Sequence, residues 1–298
     1  MNILIEASGS LTSGYIIKAI KNSGNRVIGS DISDFNHAKL MCDDFILMPK
    51  HNDKNLWGKI TKLLDDYNID IVIPSFDETL LGWSEKVNFF RNKNIRVILS
   101  PIETIKTFQD KWFAFLFFKN LGILTPESSL KPKFEIIKPR IGRGSLGIFV
   151  NDFKSKIDMT NMISQKKIIG QEYTVDCFFD NSYEPVYIIP RKRLNIIDGK
   201  SSKGIVVKNL EIENIVKRIS SNIKFIGPIN FQFFITSNND IYILEINTRI
   251  AGGMALGFAA SENWIELIIK NLINNRKITP KKVKYGLKMS RYYDEIFI

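Results

Sequence analysis

Histidine and cysteine are nearly missing, with two of each in 298 residues. Cys42 and Cys177 lie far apart and outside any CxxC pattern, and only His37 and His51 remain as further ligands. A zinc site is therefore not expected, and neither is a Cys/His or Ser/His/Asp nucleophilic set. Reduced cytoplasmic thiols are the expectation. No stretch reaches the roughly 18 consecutive apolar residues of a membrane span. The most apolar helical segment, Phe113–Leu124, is broken by Lys119 and Asn120. The opening MNILIEAS has no basic n-region, and its apolar run is too short for a signal peptide. Lys and Arg exceed Asp and Glu by 42 to 31, a net charge of +11. The basic residues are scattered, without the run that marks a nucleic-acid or lipid-binding tail. Heavy use of Lys, Asn and Ile is what AT-rich coding DNA produces. These absences lead to a cytoplasmic protein with no nucleic-acid and no membrane partner.

What is present reads as two lobes. Residues 1–100 alternate strands (Asn2–Glu6, Arg26–Asp31, Phe45–Met48, Ile69–Pro74, Arg96–Leu99) with helices (Tyr15–Asn22, Asn55–Tyr67, Leu80–Asn92). That is the pattern of a doubly wound parallel sheet. The loop after the first strand is glycine-bearing, but Gly9 and Gly14 do not match GxGxxG. Asp31 suits a ribose and equally a cap or loop role, so a dinucleotide site is not the expectation. Ser75–Glu78 sits at the carboxyl end of a strand, where open α/β sheets bind ligands. Ser100-Pro101 marks a boundary, and residues 101–298 form the second lobe. Helices are expected at Glu103–Phe108, Asp110–Leu121, Asp152–Ser164, Asn209–Ile223 and Glu262–Asn274, and a last strand-like run at Tyr285–Ile298. The overall class is α/β and α+β.

The chemistry concentrates in Ile229–Arg249. Ile229–Thr236 and Ile241–Asn247 flank a Ser-Asn-Asn-Asp turn. Closing the hairpin with Thr236 against Ile241 sets Gln232 opposite Glu245, and Asn247 projects from the same face. A carboxylate and two amide oxygens together suit a hard cation such as Mg²⁺. Arg249 follows two residues on and can hold a transferred phosphoryl group. Upstream, Lys138 immediately precedes a loop in which Gly142, Gly144, Ser145 and Gly147 leave backbone N–H groups accessible to phosphate. The strand Glu172–Phe179 begins with an acid that can accept ribose hydroxyls.

The order Lys111, Lys138-Pro with a glycine loop, Gln171-Glu172-Tyr-Thr-Val-Asp, Gln232, then Glu245-x-Asn247-x-Arg249 resembles the ATP-grasp superfamily. Within it, the chain is similar to the branch of the carbamoyl-phosphate synthase large subunit. The resemblance implies an ATP-grasp fold after an N-terminal α/β domain, with a lid subdomain at about 124–170. It implies ATP and Mg²⁺ (or Mn²⁺) as cofactors, with Lys111 and Lys138 on the phosphates under a glycine flap. The backbone of Lys166, Lys167 and Ile168 would hold adenine, Glu172 the ribose, and Gln232, Glu245 and Asn247 the metal. Arg249, Lys138 and Arg193 would act in catalysis. Arg191 and Arg193, in PRKR, and Gly199–Gly204 sit where similar proteins place residues that contact phosphate or substrate. The implied reaction activates a small-molecule carboxylate as an acyl phosphate and couples it to an amine or ammonia. A small-molecule kinase of the same fold, or a nucleotide-binding partner subunit without chemistry of its own, stays open. Dimers are common among similar proteins, although no feature of this sequence establishes a homodimer. Two departures stand out. Gln232 replaces the acid that many ATP-grasp enzymes carry, and the segment between Pro126 and Ile136 is too short for the usual lid helix.

Overall fold

In a computed structural model, the described residues are 1–298 except Arg143, Ser145, Ser155, Asp198, Gly199, Tyr293 and Ile298; the side chains of 195–197 and 200 are also outside the description. The first lobe is β1 (Asn2–Ile5), α1 (Gly14–Asn22), β2 (Arg26–Asp31), α2 (Ala38–Met41), β3 (Asp44–Leu47), α3 (Leu56–Asp66), β4 (Ile71–Ile73), α4 (Asp77–Glu85), α5 (Val87–Asn92) and β5 (Arg96–Val97). The five strands are parallel in the order β3-β2-β1-β4-β5. The order reverses between β1 and β4, and the loops leaving those two strands form a crevice. Runs such as Ile3-Leu4-Ile5 and Ile71-Val72-Ile73 are buried on both faces, which requires helices on both sides of the sheet. The single long helix expected over Leu80–Asn92 is two, α4 and α5.

Two helices, α6 (Ile102–Gln109) and α7 (Lys111–Asn120), lead to a small antiparallel sheet of β6 (Ser128–Ser129), β7 (Ile136–Pro139), β8 (Phe149–Val150) and β9 (Met162–Gln165), in the order β6-β9-β7-β8. The helix expected over Asp152–Ser164 is absent among the described residues of that span. Its apolar spacing is real, but the local polar groups fold the backbone another way. Asn151 Oδ1 accepts from Phe153 N, Asp152 Oδ1 from Lys154 N and Asp158 Oδ1 from Thr160 N. Phe153 and Asn161 both have positive φ. Such Asx turns compete directly with helix.

The second lobe's main sheet comprises β10 (Gln171–Phe179), β11 (Pro185–Ile197), β12 (Lys200–Val206), β13 (Gly227–Ile235), β14 (Ile241–Asn247) and β15 (Lys288–Ser290), in the order β14-β13-β10-β11-β12-β15. The helix α8 (Leu210–Ser220) covers one face. After a short turn at Gly252–Met254 come α9 (Ala255–Ala260) and α10 (Trp264–Leu267), the latter continuing as π-helix over Ile268–Ile273. The expected strand-like run at Tyr285–Ile298 is reduced to β15, and β6, β9 and β12 were not anticipated.

Each face of this sheet has one job. Val175, Cys177, Phe179, Phe231, Phe233 and Ile243 point into a core closed by α7 and α8. On the opposite face, Phe178, Tyr187 and Ile189 join a second core with Ile16, Ile17 and Ile20 of α1 and with Trp264. The rest of that opposite face, mostly polar but with Phe234 and Leu244, forms the floor of a cavity.

Candidate active site

Gln232 lies opposite Glu245 and Asn230 opposite Asn247. The expected facing pair is therefore present, but the hairpin reaches it by another route. Ile235, not Thr236, pairs with Ile241; Thr236 N then donates to the Asp240 carbonyl, and Asn239 takes a positive φ in the three residues between them. A bulge at Leu244 then restores the register, so that Leu244 and Glu245 both line the cavity while Ile243 and Ile246 stay in the core. The row continues across the sheet: Glu245, Gln232, Thr174 and Arg191 are successive register partners on β14, β13, β10 and β11.

This row floors a cavity of about 490 Å³. Lys111 at the start of α7 and Lys138, Gly142 and Gly144 on and after β7 line one wall, with Glu172 at the start of β10 and Arg193 on the neighbouring β11. The crevice loops bring Glu6, Ser10, Thr12, Ser75 and Phe76. The cavity therefore lies where the second lobe's sheet meets the switch point of the first.

Lys138 is 5% exposed, and its Nζ donates to Gln165 Oε1 at 2.7 Å. Burial draws its pKa down to about 8; Glu245 opposes that shift and Lys111 adds to it. Lys111, the first residue of α7, holds the glycine loop through Nζ to the Gly142 carbonyl at 2.9 Å. Asp110 caps the same helix on Trp112 N and grips Arg140 through both carboxylate oxygens, which fixes the helix start against the strand that carries Lys138. Gly142, Gly144 and Gly147 all have φ values that glycine favours. Ser145 lies outside the described residues.

Glu172 does not stand alone, because Arg193 Nη1 donates to its Oε1. Burial raises the Glu172 pKa against the pull of Arg193. Arg249 is clamped by Asp77 at the start of α4, Nε to Oδ1 at 2.9 Å and Nη2 to Oδ2 at 2.5 Å. Burial alone would lower its pKa, but Asp77 and Glu245 reverse the direction. Asn247 bridges the two, with Nδ2 3.4 Å from Glu245 Oε1 and Oδ1 3.4 Å from Arg249 Nη2.

Lys166, Lys167 and Ile168 connect β9 to β10 and are not brought to the cavity wall. Lys166 N is spent on the Glu127 carbonyl and Lys167 N on the Glu135 carboxylate. Asp31 serves its own loop, accepting from Gly9 N at 3.0 Å and Ile32 N at 2.7 Å. Both cysteines are buried and unbridged, and burial pushes Cys42 up to about 12, so neither is a nucleophile. Among the described residues no group of three or more His, Cys, Asp or Glu side chains could hold a metal. The oxygen set on the hairpin is of another kind, with one carboxylate and two amides.

Sequence reasoning missed Asp77 as the partner of Arg249, the Asp110–Arg140 pair, Gln165 beside Lys138, and the buried Asp176 beneath Arg191. SFDE did mark the place of Asp77. The other partners depend on tertiary contacts that carry no local signal.

A family model described as "ATP-grasp in the biosynthetic pathway with Ter operon" matches residues 158–294, and a "PylC-like, N-terminal domain" model matches residues 3–98. No curated protein matches the chain. Solved structures share the fold at low identity. N5-carboxyaminoimidazole synthetase from Staphylococcus aureus complexed with ADP has a TM-score of 0.73 at 18% identity, covering 95% of this chain and 79% of that one. Biotin carboxylase from Campylobacter jejuni in its β,γ-ATP complex gives 0.70 at 17%, covering 96% and 74%. The biotin carboxylase domain dimer of Hydrogenobacter thermophilus 2-oxoglutarate carboxylase, with MgADP and bicarbonate, gives 0.72 at 14%, covering 96% and 73%. The chain therefore matches an ATP-grasp family model over most of its second lobe and a PylC-like N-terminal domain model over its first.

Proposed function

We propose that the protein is an ATP-dependent ligase that activates a small-molecule carboxylate as an acyl phosphate and joins it to an amine or ammonia. The observation that carries this reading is the cavity itself: Gln232, Glu245 and Asn247 on its floor, with Lys138 and Lys111 beside the glycine loop. The solved relatives bound to ADP, to an ATP analogue and to MgADP with bicarbonate support it.

In this reading Lys111 and Lys138 hold the triphosphate, and Gly142, Gly144 and Gly147, with Ser145 of the same loop, close over it. One Glu172 oxygen takes the ribose while Arg193 holds the other. The stretch 166–168 lies off the cavity wall in this structure and would reach adenine only through backbone groups that are not already bonded. The donor set of Gln232, Glu245 and Asn247 fits Mg²⁺ or Mn²⁺, since all three offer hard oxygen. Bound there, the ion would offset triphosphate charge that the single carboxylate of this set leaves uncompensated. The chain's own residues then have three tasks. Lysines and Arg249 bring two anions together against repulsion, Asp77 fixes the Arg249 plane, and the lid excludes water from a labile intermediate. A substrate carboxylate oxygen attacks the γ-phosphorus, the bond to the β,γ-bridging oxygen breaks, and ADP leaves. The amine nitrogen then attacks the acyl carbon, and inorganic phosphate departs.

ADP release measured with Mg²⁺-ATP across a panel of carboxylic acids, with and without amines, tests this. Release that needs one acid and one amine, with an amide product by mass, is expected. Release with an acid alone and a stable phosphorylated product would replace the ligase by a kinase.

A further inference from the structure

Arg191 is 1% exposed and Thr174 5%, yet both line the cavity. They are direct register partners on β11 and β10. Arg191 grips the fully buried Asp176 with Nε at 2.5 Å and Nη2 at 2.8 Å, and Asp176 also accepts from Asn230 Nδ2 at 2.9 Å. The guanidinium plane is thereby locked. Its remaining edge, Nη1, is buried without a hydrogen-bond partner among the described residues, and so is the Thr174 hydroxyl beside it. Two neighbouring orphans in one cavity wall point to a ligand, because buried donors are otherwise paired. The surroundings leave room for one. A Cβ on Gly253 would stand 2.9 Å from Arg191 Nη2 and 3.6 Å from Nη1, so glycine keeps that edge open. Arg291 adds a second guanidinium to the wall, donating to the carbonyls of Gly252 and Ser201.

We infer that Arg191 and Thr174 form a second anion subsite, one that takes a carboxylate of the acid substrate other than the carboxylate being phosphorylated. This deepens the ligase reading and rests on it for the role of the first carboxylate. A carboxylate matches the two orphans one to one, with one oxygen for the Nη1 hydrogens and one for the hydroxyl. A neutral carbonyl offers a single oxygen to both and lacks the charge-assisted bond that a carboxylate makes to the guanidinium. The row spacing fits a small molecule held at both ends: Arg191 lies three strands from Glu245, about 14 Å between Cα atoms, with both side chains reaching inward. The substrate class is then a dicarboxylic acid or an amino acid with two carboxylates.

The test is calorimetric titration of the full chain, with Mg²⁺-ADP bound, using unbranched dicarboxylates from malonate to adipate and monocarboxylates of the same chain length. Wild type, Arg191→Lys and Thr174→Val are compared. Lysine keeps the charge opposite Asp176 but lacks the Nη1 edge, and valine removes only the hydroxyl. Wild type is expected to bind one dicarboxylate about tenfold or more tighter than its monocarboxylate match. Both variants should lose that preference and keep their Mg²⁺-ADP affinity. No dicarboxylate binding to wild type, equal affinity for the matched pair, or an unchanged preference in both variants would overturn the subsite. Failure of Mg²⁺-ADP itself to bind would instead count against the nucleotide reading, and the same titrations without nucleotide then decide the subsite alone.

Discussion

Lys138 makes the site sensitive to pH. Its folded-state pKa is about 8, below the 10.5 of a free lysine, chiefly because it is buried. The sign follows from linkage. A triphosphate favours the protonated amine, so ATP affinity should be flat below about pH 8 and fall as pH rises through that value. Binding near pH 8 should take up protons, visible as a buffer-dependent heat. Without nucleotide, the unfolded chain holds this proton better than the folded one between about 8 and 10.5, so this group's contribution to stability rises with pH over that window. Lys138→Ala should raise the ATP dissociation constant and remove the pH step; an unchanged constant would make the glycine loop merely structural. Glu245→Ala should lower turnover by about 10³-fold, the scale of losing one key electrostatic contact, with circular dichroism and melting temperature preserved. Near-normal turnover would remove the metal assignment. At this scale the gathering of Gln232, Glu245, Asn247 and Lys138 around one cavity was legible, because each belongs to a spaced motif. Their partners Gln165, Asp77 and Asp176 were not, because each is supplied by a different element of the fold.

The hairpin and the lid show two ways in which elements can depart from their patterns. In the hairpin, the alternation of Ile, Phe and Tyr fixed both strands, and the expected Gln232–Glu245 pairing holds. The turn is nevertheless one residue out of register, and the bulge at Leu244 compensates. Alternation cannot reveal a bulge, because Leu244 reads as an ordinary apolar strand residue. In the lid, helical spacing over Asp152–Ser164 lost to side-chain–backbone bonds. Asn151 is the anchor: it is buried, and its Nδ2 reaches the carbonyls of Pro132 and Phe134 while its Oδ1 holds Phe153 N. Asn151→Ala should cost the lid about 1–3 kcal/mol by leaving those groups unpaired. Amide hydrogen exchange in β7 and β9 should speed up, and ATP hydrolysis without amine should rise as water reaches the intermediate. Unchanged exchange would show that the loop is held by other contacts.

Among the described residues, the lobes are joined by shared burial, by hydrogen bonds such as that from the Tyr15 hydroxyl to the Ala251 carbonyl, and by the Arg249–Asp77 ion pair. The boundary at residue 100 expected from the sequence follows the strand–helix pattern. One core cluster has members on both sides of it: Ile16, Ile17 and Ile20 of α1 pack with Phe178, Tyr187 and Trp264. Differential scanning calorimetry should therefore give a single transition, and two resolved transitions would contradict a common core. The Arg249–Asp77 pair, with side chains 13% and 16% exposed, carries the position of α4 into the site. Asp77→Asn should lower kcat by up to about 10²-fold through misplacement of Arg249, with KM for ATP little changed. An equal rise in KM for ATP would mean that the pair shapes the nucleotide pocket instead. No helix among the described residues is long and apolar enough to cross a membrane.

The central claim is transfer of a phosphoryl group to a carboxylate, and an isotope experiment tests it most directly. The acid that stimulates ADP release is labelled with ¹⁸O in its carboxylate, and the released phosphate is analysed by mass spectrometry. The account predicts one ¹⁸O atom in each phosphate when the amine is present, because the acyl C–O bond breaks in the second step. Phosphate without label, alongside amide product, would contradict it.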